Sequence, residues 1–193
     1  MPTYTTVDDF TVYIRDQGVT DTTLISAALD TAEEMVNDFC QQSFYVASTA
    51  ATRSYTPPRA GLDVLRIHAC TTVTAVTEWG STLASTVYQT EPANQVSWSG
   101  MTVPITQLRR YATTWAYDNG VPRITVTGTW GWAATPKSVV EATKIIAKDV
   151  LQQRNNNSGV AGFGEYGAIR VRMNPIAIDL LQPYRRSESF GVA

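Results

Sequence analysis

The one histidine of the chain, His68, is the residue on which a catalytic triad or a cysteine–histidine pair would have to be built. No G-x-S-x-G nucleophile elbow occurs in the sequence. His68 ends the stretch L-R-I-H, which has the pattern of a strand, and an isolated histidine of this kind is usually structural. The sequence therefore predicts no catalytic residue and no enzymatic activity.

Two cysteines, Cys40 and Cys70, are the other candidates for thiol or metal chemistry. They lack the C-x-x-C spacing of zinc sites and are too few for a disulfide framework. Free cysteines are among the most buried residue types. We therefore expect two reduced, buried thiols, with no bound metal and no cofactor.

The segment 162–167 (G-F-G-E-Y-G) matches the G-x-G-x-x-G pattern of dinucleotide-binding sites. Such a site needs a strand before the glycines and a helix after them, because the phosphates bind at the helix N-terminus. Here a helical pattern precedes the glycines and an alternating, strand-like pattern follows them. The sequence therefore favours a flexible assembly or lumen loop over 155–168. Its candidate contact residues are Asn155, Asn156, Gly159, Gly162, Phe163, Gly164, Tyr166 and Gly167.

The five tryptophans could form a platform on which sugars or bases stack: Trp79, Trp98, Trp115, Trp130 and Trp132. Trp130 and Trp132 would share one face of a strand. Aromatic side chains dominate both cores and interfaces, so we favour an anchoring role. The stacking platform is kept as the basis of a second hypothesis, a glycan-binding or receptor-binding module.

The composition excludes some classes of protein. The formal net charge is −2 over 193 residues, whereas a dedicated nucleic-acid binder needs clustered Lys and Arg. A surface past which DNA slides would tolerate this balance.

No apolar run approaches the roughly 20 residues that span a bilayer, and the start of the chain lacks the features of a signal peptide. We expect a protein made and kept in a cytoplasm, without membrane contact.

Helical patterns lie at both ends of the chain. Apolar residues recur every three or four positions over 21–41 and again from Thr135-Pro136 to about 154, which predicts two long amphipathic helices. Thr6 and Asp9 indicate the start of a short helix that ends near Gly18. Another short helix is predicted over 176–181, after Asn174-Pro175.

The middle of the chain is rich in Thr, Val, Tyr and Trp, which favours strands. They are predicted near 50–56, 62–68, 71–79, 84–90, 95–98 and 122–128, and Asn119-Gly120 predicts a hairpin turn. The predicted fold class is α+β: an antiparallel helical core with a β-rich insertion between the long helices. In a single domain over 1–193, the core comprises 1–44 and 133–182, the insertion 45–130, and a C-terminal tail 183–193.

Three segments carry a resemblance to a known family. A helical pattern runs through A-A-L-D-T-A-E-E-M-V-N-D-F-C-Q-Q-S-F (27–44). In R-I-T-V-T-G-T-W-G-W-A-A-T-P-K-S-V-V-E-A-T-K-I-I-A-K-D-V-L-Q-Q-R (123–154) a strand, a Gly/aromatic turn, a Pro and a long helix follow one another. N-P-I-A-I-D-L-L-Q-P-Y-R-R (174–186) is a short helix ending in Tyr-Arg. Together they resemble the head-tail connector (adaptor) family of long-tailed bacteriophages, over about half of the chain.

The resemblance implies a structural subunit of the virion neck, assembled in the bacterial cytoplasm as a ring of about 12 copies. Its partners would be the portal protein, a stopper or tail-terminator protein, and double-stranded DNA that passes through without sequence-specific binding. We expect the loop and the tail to order on assembly, with the tail on the portal. The candidate portal contacts are Pro183, Tyr184, Arg185, Arg186 and Phe190. Another neck or tail-completion protein remains an alternative.

Overall fold

The structure is a computed structural model that describes residues 4–15, 18–97, 100–155 and 174–186; at 46–48 and 153–155 it describes the backbone. The chain divides into two compact units. The helical unit is Met1–Phe44 with Thr135–Ala193, and the sheet unit is Tyr45–Ala134.

The first two helices of the helical unit begin at side-chain caps. In α1 (Val7–Tyr13), the Thr6 hydroxyl accepts a hydrogen bond from Asp9 N at 3.1 Å. In α2 (Thr22–Cys40), the Asp21 carboxylate accepts from Thr23 N and Leu24 N. Such caps satisfy amide groups that have no partner within the helix. The buried stripe of α2 has the expected spacing of three and four residues: Ile25, Ala28, Leu29, Ala32, Val36 and Cys40.

The other two helices complete this unit. In α3 (Lys137–Asn155), the Pro136 carbonyl accepts from Val139 N and Val140 N. α4 (Pro175–Leu181) begins at Asn174, whose side chain accepts from Ile176 N. α3 packs against both α2 and α4. The buried residues of α3 are Val139, Ala142, Thr143, Ile146, Ala147 and Leu151.

The sheet unit is a six-stranded antiparallel sheet. Its strands are β1 (Val46–Tyr55), β2 (Val64–Glu78), β3 (Ser81–Thr82), β4 (Tyr88–Glu91), β5 (Ile105–Arg110) and β6 (Ile124–Gly131). The strand order is β1-β6-β2-β5-β4, with β3 paired to the end of β2. β2 is long, and its first half pairs with β5 whereas its second half pairs with β6.

The sheet encloses a core of its own because β2 is irregular. Its ladders shift register between Arg66 and Cys70, between Cys70 and Thr72, and between Val73 and Ala75. Such shifts bend and twist a strand. Side chains from both halves of β2 therefore meet in one cluster. That cluster comprises Leu65, Ile67, Cys70, Val76, Ile105, Leu108, Trp115, Ile124, Val126 and Trp130.

The predicted fold class, a helical core that carries a β-rich insertion, is wrong. The principal element is the six-stranded antiparallel sheet, and the helical part is small. The sheet is not an accessory to the helices, because it buries its own apolar cluster. The strands predicted over 62–68 and 71–79 are one continuous strand, and β5 was not predicted.

The hairpin predicted at Asn119-Gly120 is also wrong. Both residues have positive φ angles, 45° and 90°, as a primed turn requires. However, residues 111–123 contain no strand. Trp115 enters the core instead, where its Nε1 donates to the Leu108 carbonyl at 3.2 Å. Burial of the Trp115 indole is therefore favoured over the pairing of strands on either side of Asn119-Gly120.

Candidate functional site

The predicted portal contacts begin in a segment that directly follows α4, and we call residues 182–186 the C-terminal segment. Gln182–Tyr184 form a 3-10 turn. The Tyr184 side chain is buried, and its ring meets the ring of Phe44 edge-on, with 5.7 Å between centroids. Tyr184 is therefore part of the core of the helical unit.

Two hydrogen bonds, one from a side chain and one from the backbone, hold the C-terminal segment against the end of α2. Gln42 Nε2 donates to the Tyr184 carbonyl at 2.5 Å, and Arg186 N donates to the Cys40 carbonyl at 3.0 Å. The sequence predicts that a partner orders the tail from Pro183 onward. Residues 183–186 are instead packed on the chain itself.

The buried side chain of Tyr4 stabilises this packing through two hydrogen bonds of its hydroxyl. The Tyr4 hydroxyl donates to Asn37 Oδ1 at 2.6 Å and accepts from Phe44 N at 2.7 Å. Burial raises the pKa of Tyr4, and the nearby Phe44 amide partly opposes this effect. The hydroxyl therefore stays neutral and fixes the position of Phe44, on which Tyr184 packs.

Cys40 lies in the same region, and its thiol is fully buried. Burial raises the pKa of this thiol to about 11. A protonated thiol is a poor nucleophile and a poor metal ligand. Cys40 is thus a packing residue, as the sequence predicts for both cysteines.

Two members of the predicted portal contact, Pro183 and Arg185, are exposed. The Arg185 guanidinium lies 5.6 Å from the centre of the Phe39 ring, which holds the cation in place over α2. Arg185 can therefore present a fixed positive charge to a carboxylate on a partner. The role of these residues at a portal stays a prediction.

The remaining predicted contacts divide between a helix and residues that the structure does not describe. Asn155 is the last residue of α3. Outside the described residues lie Asn156, Gly159, Gly162, Phe163, Gly164, Tyr166, Gly167 and Phe190.

His68 lies in β2 and is engaged structurally. The Tyr55 hydroxyl is 3.0 Å from His68 Nδ1 and accepts from His68 N at 3.2 Å. The nearby thiol of Cys70 is buried, which raises its pKa, and it donates to the Thr72 carbonyl. Among the described residues, no group of three or more His, Cys, Asp or Glu side chains is placed to hold a metal ion.

Trp130 and Trp132 are both buried, which confirms their interpretation as anchoring residues. Trp130 Nε1 donates to the Ala51 carbonyl at 2.8 Å. The Arg53 guanidinium covers the Trp130 ring at 4.6 Å from its centre. A stacking platform needs exposed rings, so neither indole can provide one.

One tryptophan of the candidate stacking set, Trp79, lies at one end of the sheet. Trp79 follows β2 and is 57% exposed. The Arg123 guanidinium lies 5.0 Å from the ring centre, and Asp118 binds Arg123 at 2.7 Å. Trp79 thus differs from three other members of that set, Trp115, Trp130 and Trp132, which are buried.

Comparisons with known proteins give a likeness of fold. No protein-family model and no curated protein matches the sequence.

Within the part of the chain that the structure describes, no helix combines the length and apolar character needed to cross a membrane.

Solved structures from gene transfer agent particles share the fold over nearly the whole chain. A chain from the neck of an empty particle, computed with sixfold cyclic symmetry, is 16% identical, with a TM-score of 0.54 over 97% of this chain and 92% of that chain. A chain from the neck of a native particle, computed with twelvefold symmetry, is 15% identical, with a TM-score of 0.53 over 94% and 90%. A chain of the native virion is 13% identical, with a TM-score of 0.58 over 97% and 92%.

Proposed function

We propose that this chain is a structural subunit of the neck of a phage-like particle. The observation that carries the proposal is the likeness to neck chains of gene transfer agent particles, which extends over at least 94% of the chain. A likeness of this extent includes both the helical and the sheet unit, so it does not rest on one common motif.

In more detail, the chain acts as a head-to-tail adaptor that assembles into a ring of about twelve copies. The ring would lie between the portal and a stopper or tail-terminator protein, and double-stranded DNA would pass through it. The sixfold and twelvefold symmetry of the similar neck assemblies supports a ring. Closed rings form when each copy uses two different surfaces to bind its neighbours. In this role the chain performs no catalysis and needs no cofactor.

The portal contact is proposed for the exposed side chains of the C-terminal segment. Pro183 has a restricted backbone, and Arg185 is held over Phe39, so both can bind with little further loss of conformational entropy. Arg186, Tyr184 and Phe190 complete the set expected from the sequence. The burial of Tyr184 gives that residue a supporting role, since its ring fixes the segment from the inside.

Cryo-electron microscopy of purified particles tests the proposed function directly. We expect density for this chain as a ring between the portal and the tail. Density at the tail tip would contradict the adaptor role and favour a receptor-binding module. Absence of the chain from the particle would contradict a structural role altogether.

Charge reversal tests the portal contact. Arg185→Glu should lower the yield of tailed particles by about tenfold, because the reversed charge would repel a carboxylate of the partner. Lys137→Glu is a matched control, because it reverses an exposed charge at the start of α3 in the same unit. Equal yields from the two variants would contradict a contact at Arg185. Melting temperatures of the purified variants show whether both remain folded.

A further inference from the structure

One edge strand of the sheet, β1, can accept a further strand. β1 pairs with β6 on one side, and among the described residues no strand pairs with its other side. β1 has ten residues. The opposite edge strand, β4, has four residues and is flanked by 3-10 turns at Ser85–Val87 and Ala93–Gln95. Short edges interrupted by turns resist further pairing, whereas long edges invite it.

β1 contains no proline and one charged residue, whereas charges and prolines usually protect an edge strand. Its sequence is V-A-S-T-A-A-T-R-S-Y, and Arg53 carries its one charge. That charge is folded back onto the sheet, with its guanidinium over the Trp130 ring and Nη2 donating to the Tyr45 hydroxyl at 3.0 Å. The neighbouring residues are small, uncharged and exposed: Thr49, Ala50, Ala51, Thr52 and Ser54.

Side-chain hydrogen bonds show which backbone groups face the open side. The Thr127 carbonyl accepts from Thr74 Oγ1 on β2 at 3.0 Å, so it points away from β1. Thr127 is the partner of Thr52, and their hydroxyl oxygens are 2.8 Å apart, as in a non-hydrogen-bonded antiparallel pair. The N–H and C=O of Thr52 therefore point away from β6. Because directions alternate along a strand, those of Ala50 and Ser54 do so as well.

We propose that this edge of β1 pairs with an extended strand of a second copy of the chain. An alternating row of N–H and C=O groups is matched by extended polypeptide backbone, which favours a strand over DNA or a glycan as its partner. The inference rests on the proposed ring, in which every copy has neighbours of its own kind. Pairing of β1 with a strand other than β1 of the second copy gives the head-to-tail contact that a ring requires. The single charge of β1 is withdrawn from the edge, so two copies meet there without repulsion.

Particle structures provide the first test. In the assembled neck, a strand of the adjacent copy should lie about 4.8 Å from β1, on the side away from β6. A ring of this chain in which β1 faces solvent or a different protein would overturn the edge pairing and leave the proposed function intact. A neck that lacks this chain would overturn both.

A pair of substitutions at one position provides the second test. Thr52→Pro removes the outward N–H but leaves the bonds between β1 and β6, because proline is tolerated where an edge N–H faces outward. Thr52→Ala is the matched control, since it loses the same hydroxyl bond to Thr127 but keeps the N–H. We expect Thr52→Pro to lower the yield of complete particles by about tenfold relative to Thr52→Ala.

The purified full-length variants separate assembly from folding. Their melting temperatures should agree closely, because both changes leave the core of the sheet untouched. Equal particle yields from two folded variants would overturn the edge pairing. If Thr52→Pro fails to fold, Ser54→Pro and Ser54→Ala repeat the comparison at the next outward-facing position, with the same expected difference.

Discussion

Glu78 Oε2 lies 3.0 Å from Arg110 Nη1, which joins the last residue of β2 to the last residue of β5. Arg110 N also donates to the carbonyl of Asp63, the residue before β2, at 2.8 Å. A straight strand from Asp63 to Glu78 would extend about 50 Å, at about 3.3 Å per residue. Because both ends of β2 reach Arg110, the strand curves back on itself. The ion pair thus closes the sheet around its core.

Breaking this ion pair should destabilise the sheet unit. The two side chains are 11% and 13% exposed, and Glu78 Oε1 also accepts from Ala116 N. Arg110→Met keeps an apolar stem beside Trp115 but leaves the Glu78 carboxylate unpaired. Loss of one partner of a buried pair costs about 3 kcal/mol of unfolding free energy. Urea denaturation measures this loss.

The control for this prediction is Arg109→Met. Arg109 binds Asp63 and Glu91 in a more exposed setting, so its replacement should cost less. Equal losses from the two variants would mean that the Glu78–Arg110 pair does not close the sheet.

Replacement of Gly128 should destabilise the sheet unit, because there is no room for a side chain at this position. A Cβ at this position would lie 2.2 Å from the Thr72 carbonyl oxygen and 2.9 Å from the Cys70 sulfur. Backbone atoms of β2 cannot move aside without loss of pairing with β6. Gly128→Ala should therefore lower the free energy of unfolding by about 3 kcal/mol, the upper part of the range for overpacked cores.

Thermal unfolding of Gly128→Ala and Ala50→Ser checks this prediction. The control adds one heavy atom at an exposed position of the neighbouring strand. A melting temperature for Gly128→Ala that equals the control would show that β2 and β6 can separate at this point without cost.

The helices could be predicted because their signals are local. The pattern over 21–41 gave a helix that spans Thr22–Cys40, since Asp21 caps its start and the buried residues recur every three or four positions. The cap at Thr6 could be recognised in the same way. Neither signal depends on residues far away in the sequence.

The pairing and continuity of the strands could not be predicted because their determinants are distant in sequence. The irregularities of β2 interrupt the alternation of buried and exposed residues, so one strand looked like two. The contact of Glu78 with Arg110 has no local signature. The same holds for the candidate site. The tail motif was visible in the sequence, but the packing of Tyr184 on Phe44 joins residues that are far apart in the chain.

The stability of the helical unit should depend on the ionisation of Cys40. Its pKa is raised from 9.0 to about 11 in the folded state, chiefly by burial. Below pH 9 the thiol is protonated in both folded and unfolded states, so its contribution to stability is fully present. Between about pH 9 and 11 the unfolded thiol ionises first, and the free energy of unfolding falls.

Urea denaturation from pH 8 to 11 compares the chain with Cys40→Ala. The variant should be less stable at pH 8 because of its cavity, but its stability should fall less steeply as the pH rises. The tyrosines ionise in both proteins, and the charge of Cys40 makes the smallest contribution to the raised pKa of Tyr4. Parallel curves would contradict a raised thiol pKa.

Replacement of Trp115 should destabilise the protein much more than replacement of Trp79, although both residues lie outside the strands. Trp115 is 2% exposed and belongs to the core, so Trp115→Ala should cost about 3–5 kcal/mol. Trp79 is 57% exposed, and Trp79→Ala loses mainly its contact with Arg123, about 0.5–1 kcal/mol. Hydrogen exchange adds a local measurement, because Trp115 N donates to the Leu62 carbonyl. Amides over 111–118 should exchange faster in Trp115→Ala alone. Similar stability losses and unchanged exchange would show that Trp115 does not anchor this loop.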